Sequence, residues 1–69
     1  MKMFYDPEVD ALTIILVEDK AEESEEVLPN VIFDYSKDGK VISIEILKAK
    51  KTLEALENLN KLLEAVGRP

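Results

Sequence analysis

The chain has 69 residues, with 15 acids against nine bases, a formal net charge of −6, and neither Cys nor His. That length allows one small domain. The composition excludes disulfides and zinc sites built on thiolate or imidazole, removes the usual general base near neutral pH, and opposes nucleic acid or an anionic membrane as partner through like charge.

A core this small barely offsets the cost of ordering the chain. Without disulfide or zinc, self-association is the expected support, and a homodimer is its simplest form. The longest apolar stretch, Leu12 to Val17, is too short to span a bilayer, and "MKMFYDPE" lacks the apolar centre of a signal peptide. A cytoplasmic protein without a cofactor is expected, and its richness in Glu and Lys suits a thermostable one.

"MKMFY" leads into "DPEVDAL", where Asp6 and Pro7 open a turn: the proline ring presets φ and the carboxylate can bond backbone groups ahead of it. In the following "ALTIILV", Leu12, Ile14 and Leu16 alternate with Thr13, Ile15 and Val17, the period of a strand. Residues 6–26 hold nine acids against Lys20 alone. Within them "EDKAEESEEV" reads as an exposed loop with a short edge strand near Val27, stopped by Pro29 and Asn30. "VIFDY" and "VISIEIL" are two further strands around a bend at Lys37 to Lys40. "TLEALENLNKLLEAVG" changes to the helical period, with Thr52 as the expected N-cap and Gly67 as the C-terminal stop. These elements predict an α+β fold: a small antiparallel β-meander of four to five strands over residues 1–47, followed by one C-terminal amphipathic α-helix over 48–69, packed as part of the same domain.

"DYSKDGKVISIE", residues 34–45, has the spacing of a calcium-binding loop, with Asp34, Ser36, Asp38, Gly39 and Glu45 at ligand or turn positions. Such a loop needs a helix on each flank, and both flanks here have strand character. If the strands run up to the bend, Glu45 lies roughly 20 Å beyond Gly39, out of reach of a shared ion. The stretch is therefore expected to be a hairpin in which Asp38 and Gly39 serve the turn. A loop of two or four residues keeps Phe33 and Tyr35 on the side of Ile42 and Ile44, whereas a simple three-residue loop sets Phe33 opposite Ser43. Four residues, Ser36 to Gly39, with Gly39 at positive φ, are expected.

The alternation separates two sheet faces. One gathers Leu12, Ile14, Val31, Phe33, Ile44 and Ile46 and needs a cover, for which the helix offers Leu56, Leu59, Leu63 and Val66. Leu53 and Leu62 widen that stripe beyond what one sheet requires, so Leu53, Leu59, Leu62 and Val66 are the candidate interaction residues. The other face mixes Thr13, Ile15 and Ile32 with Asp34, Ser43 and Glu45. Asp34 and Glu45 can stand near each other there and form the candidate carboxylate pair for Mg²⁺ or Ca²⁺, or for acid–base work. No phosphate loop or recognisable catalytic constellation accompanies them, and a non-enzymatic protein is expected.

"YDPEVDAL" followed by "VIFDYSKDGKVISIEIL" resembles the domain of unknown function 2283 family of small bacterial and archaeal proteins. Tyr5, Asp6, Asp10, Ala11, Leu12, Asp34, Asp38, Gly39, Ile44, Glu45 and Ile46 carry the likeness, while Ser43 stands where a glycine is usual. The resemblance covers roughly residues 3–47. It implies a small antiparallel sheet with a variable C-terminal extension, and brings no established activity. The expected function is a homodimeric protein–protein interaction module with a possible basic protein partner. Its alternatives are an antitoxin-like partner of a small basic toxin and a Mg²⁺ or Ca²⁺ site at Asp34 and Glu45.

Overall fold

The computed structural model describes residues 1–67 and contains five strands and one helix: β1 (Lys2–Asp6), β2 (Ala11–Ile15), β3 (Glu23–Leu28), β4 (Val31–Tyr35), β5 (Val41–Ile46) and α1 (Ala49–Val66). The strands form one antiparallel sheet in the order β1-β2-β5-β4-β3. The α+β expectation holds, with one departure from a sequential meander. The segment after β2 carries the chain to the far edge, and β5 returns to pair with β2. Backbone amides of Leu16 and Val17 both donate to the Ile42 carbonyl, and Glu22 donates to Tyr35, so this segment is tied down at both ends.

The acidic stretch expected to be mostly loop is a six-residue strand, β3. An edge position explains it. A strand paired on one side only keeps its glutamate side chains in water while its backbone bonds β4, and the charges discourage pairing on the open side.

At the β4–β5 hairpin Gly39 has φ 78°, as expected, but the loop is shorter than expected. Ser36 donates to Lys40 and Gly39 to Ser36, leaving three residues, Lys37 to Gly39, between the paired strands. This does not mix the faces. A bulge passes over Ile42, so that Tyr35 lies opposite Val41 while Asp34 meets Ser43 and Phe33 meets Ile44. The bulge adds the residue that a simple three-residue loop lacks.

The helix also starts differently. Thr52 is not its N-cap: Lys48, at φ 48° and without a side-chain cap, precedes the first helical residue. The acceptors come from the β1–β2 turn. The Asp10 carbonyl accepts from the amide of Ala49 at 2.8 Å, and its Oδ2 from the amide of Lys50 at 3.3 Å. With two of its four orphan amides met from outside, the helix begins without a local cap. Thr52 is buried one turn in, and its hydroxyl donates to the Leu47 carbonyl at 2.6 Å.

The core is small. Val31 and Ile46, directly paired, form a buried corner with Ala49 at the foot of the helix, and Ile42 is buried separately toward the other end of β5. Leu56 is half-buried, and no helical residue after it is covered. Leu62, Leu63 and Val66 expose 59%, 63% and 76% of their surface. The helix therefore does not cover the apolar sheet face within one chain. Its first turn is fixed to the β1–β2 turn, and that anchorage leaves the leucine stripe without a surface to meet.

Candidate functional site

The densest polar arrangement lies on the face away from the buried corner. Asp34, in β4, stands directly across from Ser24 in β3 and Ser43 in β5. Each serine hydroxyl donates to a different carboxylate oxygen of Asp34, both at 2.6 Å. Glu45, two residues along from Ser43 on the same face, hydrogen-bonds Asp34 as well. Side chains crowd Asp34 from both neighbouring strands, and only 7% of its surface remains exposed.

The two carboxyls are pushed apart in acidity. Burial alone would raise the Asp34 pKa, but the hydrogen bonds from Ser24, Ser43 and Glu45 outweigh it and hold the group below its ordinary value. Glu45 moves up, first through its hydrogen bond to Asp34, then through burial and the Asp34 charge. The two serine hydroxyls orient the Asp34 carboxylate, and the proximity of the two carboxyls sets their shifts in opposite directions. Both Asp34 oxygens are thus already engaged by hydroxyl donors. Among the described residues no group of three or more metal-ligating side chains converges.

The expected pairing of Asp34 with Glu45 is therefore present. Ser43 contributes through its hydroxyl. Ser24 escaped sequence reasoning because the acids around it obscured β3. Its only signal was an uncharged side chain in an alternating acidic run.

The turn residues have separate structural roles. Asp6 Oδ1 accepts from the Glu8 amide at 3.0 Å across Pro7, and Asp38 precedes the left-handed Gly39. Tyr5 donates its hydroxyl to Asp10 Oδ1 at 2.6 Å, so β1 braces the aspartate that receives the helix. That bond raises the Tyr5 pKa, with smaller contributions from burial and from the charges of Asp10 and Asp6. Leu53, Leu59, Leu62 and Val66 all lie exposed along α1. A groove of about 550 Å³ runs between the helix and the β3–β4 turn, lined by Leu28, Pro29, Val31, Thr52, Leu56 and Leu59.

A family model described as Protein of unknown function (DUF2283) matches residues 2–50. The chain belongs to this family. The match takes in the whole sheet, its three hairpin turns and the two helix amides that Asp10 receives, and stops before the leucine stripe. No curated protein and no solved structure matches the chain. The family description assigns no activity. Among the described residues no helix is long and apolar enough to cross a membrane.

The residues singled out in the sequence thus have roles in folding. Tyr5, Asp6 and Asp10 join the first turn to the helix, Asp38 and Gly39 make the β4–β5 turn, and Asp34 with Glu45 ties three strands together.

Proposed function

We propose that this protein is a non-enzymatic, homodimeric protein–protein interaction module in which the leucine face of α1 meets a second copy of the chain. One observation carries the reading. The isolated chain exposes 5517 Å², whereas a compact 7.8 kDa monomer exposes about 4,400 Å². The surplus, about 1,100 Å², exceeds the roughly 800 Å² that each partner buries in a standard interface. The radius of gyration, 13.9 Å, against about 11 Å for a compact chain of this length, has the same cause in the projecting helix. Leu53, Leu59, Leu62, Leu63 and Val66 supply the apolar surface that association removes from water.

Sedimentation equilibrium across a concentration series tests this. The wild-type chain is expected to sediment as a multiple of its mass, and Leu59→Lys with Leu62→Lys to lose the helix contact without unfolding, since both side chains are exposed. A wild type that stays at 7.8 kDa throughout rejects the reading.

The acidic edge favours a further partner. Glu22, Glu23, Glu25 and Glu26 line the open side of the sheet, a surface suited to a basic protein. A small basic toxin neutralised by this chain is one version. Co-purification with the product of a small basic reading frame beside the gene supports that version, and the lack of any such neighbour removes it.

A further inference from the structure

Apart from the helix stripe, the sheet ends in two free edges of opposite character. β3 carries Glu23, Glu25 and Glu26; laid against its own copy, it sets like charges opposite each other and is protected from self-pairing. β1 reads KMFYD, has no partner on its outer side, and leaves Met3 and Phe4 each 58% exposed. An apolar edge without a charge at its centre is one that natural sheets pair or cover.

The sequence of β1 is self-complementary when reversed. We propose that two copies of the chain join their β1 strands antiparallel about Phe4, so that Lys2 of each lies across from Asp6 of the other, Met3 across from Tyr5, and Phe4 across from Phe4. Lys2, Phe4 and Asp6 alternate onto one face, so the two ion pairs flank the two phenyl rings on the same side of a continuous ten-stranded sheet. Lys2 also pairs with Glu18, but both side chains are largely exposed and that contact holds Lys2 weakly.

The register is specific. Sliding by one residue throws the side chains onto opposite faces. Sliding by two sets Met3 against Pro7, which has no amide to donate, or sets Lys2 against Phe4 and leaves Asp6 without a partner. The contact is two-fold and closes on itself, whereas β1 pairing with β3 of another copy leaves free ends and grows without limit. This contact lies apart from the helix stripe and stands without it. Alone, the strand contact joins two copies; beside the helix contact, it joins the helix-paired dimers to one another.

The test is a charge exchange. Lys2→Glu faces a like-charged Asp6, Asp6→Lys faces a like-charged Lys2, and each single variant is expected to weaken association roughly tenfold. Mixed in equal amounts, the two variants regain both ion pairs, and native mass spectrometry is expected to show species holding one copy of each. Loss of the Asp6 turn bond or the Glu18 pair would not be mended by mixing. The series is run in the wild-type chain and in Leu59→Lys with Leu62→Lys. Strand variants that leave the mass unchanged, or that stay apart when mixed, overturn the proposal, while a mass change confined to the helix variants leaves the helix reading standing alone.

Discussion

Residues 2–50 and the helix beyond them are organised in opposite ways. In the first region polar side chains meet partners in the same chain: Tyr5 with Asp10, Asp10 with the amide of Lys50, and Asp34 with Ser24, Ser43 and Glu45. In the second, a stripe of leucines has the period of a buried helix face, and past Leu56 none of the described residues covers it. Amphipathic periodicity therefore marks an apolar face without showing that the chain itself covers it. The sheet's polar side chains find partners within the chain, whereas the far part of the helix leaves its leucines exposed.

The sharpest way to break this contrast is to truncate one side chain in each region. Ile46→Ala, at the buried corner, is expected to cost about 3 kcal/mol in chemical denaturation. Leu62→Ala is expected to cost almost nothing at dilutions where chains separate, and to weaken association at higher concentration. Equal losses for the two at low concentration would mean that the helix packs on its own sheet.

Asp34→Ala removes the acceptor of two serine hydroxyls and the partner of Glu45. It is expected to cost about 2 kcal/mol, followed by urea denaturation. Asp10→Ala acts on the joint between the regions. Losing one amide acceptor and the Tyr5 bond is expected to cost about 1 kcal/mol, with a fall in helical circular dichroism that leaves the strand signal in place.

The smallest effect sharpens the reading of the carboxylate pair. Asp34 titrates below its ordinary 3.8, so its contribution to stability is complete above that value and fades as pH falls through the folded pKa. Glu45 titrates above its ordinary 4.5, so its contribution is complete below that value and fades as pH rises through the folded pKa. The pair therefore stabilises the fold most between 3.8 and 4.5. Glu45→Gln, which keeps a donor toward Asp34 but cannot ionise, is expected to melt above the wild type at pH 7, with the gap closing as pH falls toward that window. A gap that does not change with pH would place Glu45 outside the pair.

Much of the sheet was legible because period-two alternation is local and strong. Phe33 and Ile44 share a face, Gly39 takes positive φ, and Asp34 approaches Glu45 with Ser43 beside them. The acidic run hid β3, since charge density marks exposure and an edge strand is exposed too, and with β3 the bond from Ser24 was lost from view. The three-residue loop was set aside for want of the bulge at Ile42, a backbone adjustment that has no residue signature. The start of the helix depended on Asp10, which lies 40 residues from Lys50. No local capping pattern announces an acceptor supplied from across the fold.

The mass of the wild-type chain in dilute buffer, measured by sedimentation equilibrium beside Leu59→Lys with Leu62→Lys, tests the central claim most directly. The account expects the wild type to exceed 7.8 kDa in a concentration-dependent way and the substituted chain to lose the helix contact while keeping its strand signal. A wild type that remains a single chain at every concentration, with its leucines left in water, would contradict it.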